Sequence, residues 1–110
     1  MYKQQFNANY YICIMLTKND IISTLKDLKP ILYKDYYVKE IGLFGSFSDE
    51  TNSETSDIDL LVVLEKPIGW KLFTMETFLE NIFGRKIDIV TMNALKEQIK
   101  DRILNQVNYI

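Results

Sequence analysis

Apolar positions along this chain switch between a helical period and a strand period, and the switches set out its elements. Ile21, Ile22, Leu25, Leu28 and Leu32 recur at helical spacing. Thr17 or Asn19 is placed to cap that helix, with Asp20 in its first turn. Pro30 lies within the pattern and predicts a kink or a split. Tyr36 to Phe44 reads as a strand closed by Gly45, and the polar stretch Ser46 to Thr55 as a short turn or helix followed by a loop. Ile58 to Leu64 is almost continuously aliphatic, the pattern of a central strand buried on both faces. After a turn at Pro67 and Gly69, Trp70 to Phe83 reads as a helix stopped by Gly84. Lys86 to Thr91 is a third strand, and Asn93 is placed to cap a last helix carrying Leu95, Ile99, Ile103 and Val107.

The order helix, strand, strand, helix, strand, helix predicts an α/β (α+β) fold: a small mixed sheet with helices packed on it. The last helix is expected to pack on that sheet. Trp70, Phe73, Phe78 and Phe83 are expected in the core rather than on a base-stacking platform. Residues 1–14, rich in Asn, Gln and Tyr, look unlike the remainder. Either they form an upstream extension, with Met15 as the natural first residue, or Tyr10 to Met15 adds an edge strand. The domain itself is assigned to residues 15–110, with 1–14 as an N-terminal extension for which disorder is one expectation.

Composition narrows the chemistry. The chain has 110 residues, 47% apolar and 25% charged, as expected for one soluble globular domain. Its formal net charge of −2 leaves no basic surplus for a phosphate backbone, which argues against direct nucleic-acid binding. No apolar run approaches the roughly 20 residues of a membrane span. Cys13 is the single cysteine, which excludes an internal disulfide and fits a reducing cytoplasm. The chain has no histidine, so any metal would be held by carboxylate oxygen, the chemistry of Mg²⁺ or Mn²⁺.

Three features then converge. Asp57 and Asp59 alternate onto the same side of a strand, roughly 6.5–7 Å apart at about 3.3 Å per residue, where their like charges call for a cation between them. Asp88 interrupts the apolar strand 86–91, a poor place for an unpartnered acid. Gly45 lets backbone approach a ligand, and Ser46 offers a hydroxyl and an amide to a phosphate, with helix-dipole attraction if a helix starts there. Taken singly, each has a plain structural explanation; in this order they point to nucleotidyl transfer.

These residues resemble the minimal nucleotidyltransferase family of the DNA polymerase β-like superfamily, through its Gly-Ser-x₁₀-Asp-x-Asp pattern. Gly45-Ser46 and Asp57-Ile58-Asp59 match it with the ten intervening residues Phe47 to Ser56 intact. The context Ile41 to Phe47 and Asp57 to Val62 also matches, as does Asp101-Arg102-Ile103-Leu104 near the end. The resemblance runs from about Thr17 onward. It implies the polymerase β-like fold and, for many members, an antitoxin that transfers AMP from ATP to a tyrosine of a cognate HEPN-domain RNase toxin. Carried over by position, Asp57, Asp59 and Asp88 would be catalytic and bind two Mg²⁺ (or Mn²⁺) ions, and Gly45 and Ser46 would hold the triphosphate. One departure stands out: where relatives commonly carry a basic residue and a second glycine, this chain has Ser48-Asp49-Glu50. A Lys or Arg from elsewhere, such as Arg85 or Lys86, could compensate. Two alternatives therefore stay open: a catalytically weak antitoxin that neutralises its toxin by binding, and a small-molecule nucleotidyltransferase. The acceptor residue and homo-oligomerisation stay undetermined.

Overall fold

The computed structural model describes residues 16–110; residues 1–14, with the extension and edge-strand alternatives, lie outside the described residues. Helix α1 spans Lys18–Tyr36 and is followed by β1 (Val38–Phe44), β2 (Ile58–Leu64), α2 (Lys71–Phe83) and β3 (Ile87–Thr91). A single 3₁₀ turn (Met92–Ala94), α3 (Glu97–Gln106) and a two-residue strand β4 (Asn108–Tyr109) complete the fold. The sheet order is β3-β2-β1-β4. β2 runs antiparallel to β1 and parallel to β3, while β4 runs antiparallel to β1. This is the small mixed sheet with packed helices that the pattern predicts, with β2 central.

Alternation along the strands sorts the two faces. Ile41 and Leu43 of β1, Ile58, Leu60 and Val62 of β2, and Ile87 and Ile89 of β3 join one core with Ile21, Leu25 and Leu32 of α1 and Met75, Leu79 and Phe83 of α2. Because successive side chains leave a strand on opposite sides, Asp59 and Asp88 must leave on the face away from those helices. Burying each large aliphatic side chain contributes about 1.5–3 kcal/mol, so slipping β2 by one residue would expose three of them and drive Asp59 into the core.

Helix α1 starts as the sequence indicates. Thr17 Oγ1 accepts from the Asp20 amide at 3.1 Å, and Asp20 Oδ2 accepts from the Thr17 amide at 3.0 Å, a reciprocal capping box. Pro30, however, neither splits nor ends it. The carbonyl four residues earlier belongs to Lys26, and both Lys26 and Pro30 are exposed, so water can take the bond that proline removes. The helix runs on through Tyr36 and closes on Tyr37 in the left-handed region, which moves the start of β1 to Val38.

The C-terminal third departs furthest from expectation. Asn93 falls in the 3₁₀ turn rather than capping a helix, and α3 begins after Lys96, which offers no side-chain cap. No residue of α3 is buried and none joins the core, so its packing is lighter than expected: Lys100, Ile103 and Leu104 are half-buried. Val107 lies past its end, and the chain then pairs with β1 through Gly42↔Tyr109 and Leu43↔Asn108. Trp70 and Phe73 are also misassigned by the sequence: they are 84% and 62% exposed, with ring centroids 5.7 Å apart. Of the four aromatics, Phe83 is buried and Phe78 packs half-buried at the core's margin. Helix α2 turns its Met75, Leu79 and Phe83 stripe inward, and Trp70 and Phe73 lie off that stripe.

Glu50, two residues after the buried Ser48, adopts φ +62°. This left-handed conformation costs a residue with a Cβ about 1 kcal/mol relative to glycine. Glu50→Gly is therefore expected to stabilise the protein by about 1 kcal/mol, a Tm rise of roughly 4–8 °C for a domain of this size; differential scanning calorimetry checks it.

Candidate active site

The site assembles where three backbone segments meet at one end of the sheet. β1 hands over to Gly45 directly opposite the start of β2, since Phe44 pairs with Asp59. On the other side of β2, Asp59 pairs in register with Asp88 of β3. Asp57 stands one residue ahead of β2, just before Ile58, whose amide donates to the Lys86 carbonyl at 3.0 Å. The fold thus brings Gly45, Ser46, Asp57, Asp59 and Asp88 to one region of the open face.

Gly45 has φ +76°, and a Cβ there would overlap Asp59 Oδ2. Two requirements coincide at this residue: a backbone angle that side chains disfavour, and space that the Asp59 carboxylate already occupies. Beyond it the chain does not form a helix. The Ser48 and Asp49 amides both donate to the Gly45 carbonyl, at 3.0 and 3.2 Å, and the Thr51 amide donates to the Ser46 carbonyl at 2.9 Å. These are consecutive turns, so the helix-dipole contribution considered from sequence is absent, which leaves the backbone amides and the Ser46 hydroxyl as the groups that could meet a phosphate.

The carboxylates feel one another. Asp59 is half-buried, and its carboxyl is pushed up from 3.8 to about 6, first by burial and then by the charges of Asp88 and Asp57. Among the described residues no three carboxylates stand close enough to chelate an ion as they are. A hard divalent cation would relieve both the repulsion among them and the cost of ionising Asp59. The donor set, all carboxylate oxygen, fits Mg²⁺ or Mn²⁺.

Sequence reasoning missed how the phosphate-side turn is anchored. Ser48 is buried and donates to the Gln106 carbonyl at 2.8 Å, while its Oγ accepts from Asn108 Nδ2. The partners are 58 and 60 residues away, so no local pattern announces them. Arg85 turns inward: its Nη1 donates to the Ser53 and Ser56 carbonyls at 3.2 and 2.9 Å. Lys86 is exposed. A cleft of about 450 Å³ opens at the opposite end of β2 and β3, lined by Leu64, Lys66, Ile68, Leu72 and Met92, and none of the five candidate residues borders it.

The raised Asp59 carboxyl makes stability pH-dependent in the ion-free protein. Between pH 4 and 6 the folded state holds a proton that the unfolded chain has released, so this contribution falls as pH rises. Thermal melts of the protein in chelator are expected to show Asp59→Asn gaining Tm relative to the parent chain as pH goes from 4 to 7. A constant difference across that range would contradict the assignment.

Comparison with known proteins bears on the family and the fold. A family model described as a nucleotidyltransferase domain matches residues 25–110. The protein adenylyltransferase MntA of Thermococcus cleftensis is 37% identical over 97 residues, covering 87% of this chain and 98% of that protein. A crystal structure of a toxin–antitoxin complex with AMP-PNP superposes with a TM-score of 0.64 at 23% identity, covering 86% of this chain and 72% of the other. A complex of a tri-AMPylated Shewanella oneidensis HEPN toxin with its MNT antitoxin gives 0.55 at 22% identity, with 87% and 70% covered. At those identities the two solved structures speak to fold alone, and they share this one. With the family model spanning most of the chain and a relative matched over nearly its whole length, this protein belongs to the nucleotidyltransferase domain family and is a nucleotidyltransferase.

Proposed function

We propose that this protein is a metal-dependent protein adenylyltransferase and antitoxin, moving AMP from ATP to a tyrosine of a cognate HEPN-domain toxin in the cytoplasm. The observation that carries the proposal is the register that sets Asp59 beside Asp88 on neighbouring strands, with Gly45 against Asp59 and Asp57 one residue ahead of β2. The family membership supplies the reaction type, and the names of the relative and of the superposed complexes supply the acceptor class.

The reaction balances simply. The tyrosine oxygen attacks the α-phosphorus of ATP, the bond from that phosphorus to the bridging oxygen breaks, and pyrophosphate leaves. The hydroxyl proton passes to a carboxylate, for which Asp88 is the candidate: it is exposed, and so open to an incoming protein side chain. Asp57 and Asp59 would hold the divalent ions, with Asp88 as the third ligand. When bound, such ions offset charge on the polyphosphate and lower the pKa of the attacking hydroxyl. Gly45 leaves its backbone bare beside Asp59, and Ser46 presents its amide and hydroxyl to the triphosphate. The acidic, exposed pair Asp49-Glu50 beside this turn is the observation that favours a second reading, an antitoxin that binds its toxin and transfers AMP weakly or not at all.

Intact-mass spectrometry of the toxin, after incubation with this protein, ATP and Mg²⁺, distinguishes the two. Whole adenylyl increments are expected, and Asp57→Ala with Asp59→Ala together should lower their rate at least about 10³-fold. An unmodified toxin in a stable complex would leave the binding reading. Gly45→Ala must displace the Asp59 carboxylate and is expected to cost at least about tenfold in Mn²⁺ affinity by titration calorimetry, with the circular dichroism spectrum retained.

A further inference from the structure

We propose that Arg85 is a positioning residue that clamps the loop between Ser46 and Asp57 to the strand carrying Asp88. The kinetic consequence rests on the nucleotidyl-transfer reading above; the clamp itself does not. Residues 49–56 must bring the Gly45-Ser46 turn back to Asp57, yet their own side-chain bonds are short-range. Thr51 Oγ1 donates to Asp49 Oδ1 at 2.6 Å, and the Ser53 amide donates to Ser56 Oγ at 2.8 Å. Such bonds shape a loop without fixing where it sits.

Arg85 fixes it from outside. Its Nη1 reaches both the Ser53 carbonyl (3.2 Å) and the Ser56 carbonyl (2.9 Å), and Ser56 is the residue before Asp57. Its guanidinium carbon lies 5.3 Å from the centre of the Phe47 ring, and Phe47 is fully buried immediately after Ser46. Its main chain leads into β3, where the Lys86 carbonyl holds the Ile58 amide at 3.0 Å and Asp88 follows two residues later. One side chain therefore touches the phosphate-side turn through Phe47 and the carboxylate loop through Ser56, from the root of the strand that bears the third carboxylate. The geometry calls for arginine specifically. Its guanidinium carbon lies over the ring while one nitrogen, Nη1, forks to the two carbonyls; an ammonium has hydrogens for the carbonyls but no planar face to lay on the ring.

Hydrogen–deuterium exchange tests the clamp, with Arg85→Ala and Arg85→Lys compared to the parent chain. Amides of residues 53–57 are expected to exchange at least roughly tenfold faster in both variants, while those of Leu60, Leu61 and Val62 stay as they were. In the adenylyl-transfer assay both variants should lose about tenfold in kcat with KM for ATP changed less than about threefold. Unchanged loop exchange would overturn the proposal, and so would equal acceleration in β2, which would make Arg85 a general stabiliser. An Arg85→Lys protein matching the parent in exchange would overturn the need for a planar face on the ring. If the parent chain transfers no AMP but the exchange pattern appears, the nucleotidyl-transfer reading fails and the clamp stands.

Discussion

Strand β2 cannot rotate its side chains without taking Ile58, Leu60 and Val62 out of the core. At about 1.5–3 kcal/mol each, that loss is comparable to the whole stability of a small domain. The remaining geometry follows from this constraint. Asp59 lies between two of those residues in sequence and is therefore held on the opposite face. Its neighbours across the sheet, Phe44 on one side and Asp88 on the other, are fixed by backbone hydrogen bonding rather than by any attraction between side chains. The hydrophobic core thus fixes where these carboxylates sit, and the raised pKa of Asp59 reflects first its burial there and then the charges of Asp88 and Asp57.

The same constraint makes sense of the glycine. Once Phe44 pairs with Asp59, the next residue of the chain must pass beside the Asp59 carboxylate, and a Cβ there would overlap it. Backbone freedom and ligand access are therefore one requirement at Gly45. A hard cation bound there would relieve the repulsion between acids that folding places side by side.

The anchoring around the site is divided among distant parts of the chain. Ser48 is tied to Gln106 and Asn108 at the C-terminal end, and Ser53 and Ser56 are tied to Arg85 ahead of β3. These contacts act on the turn and loop, where the local sequence is polar, aperiodic and, at Glu50, in a conformation better suited to glycine. A loop with little intrinsic preference takes its position from whatever it is bonded to. This places the burden of site geometry on residues outside the Gly-Ser and Asp-x-Asp pattern itself.

The amino-acid sequence by itself determined the central strand and the two long helices, and it singled out Gly45, Ser46, Asp57, Asp59 and Asp88 as candidates. Each of these depends on local period or on residue type at fixed spacing. It also carried the family resemblance, because that pattern lies in one contiguous stretch. Only the tertiary structure decided that Pro30 stays inside an unbroken helix, since that depends on whether one carbonyl faces water. It alone placed Trp70 and Phe73 outside the core, because helix rotation is set by what the neighbouring elements bury. The pairing of β4 with β1, the light packing of α3 and the inward turn of Arg85 were likewise illegible. Each joins residues far apart in sequence, and a one-dimensional pattern holds no distance between them.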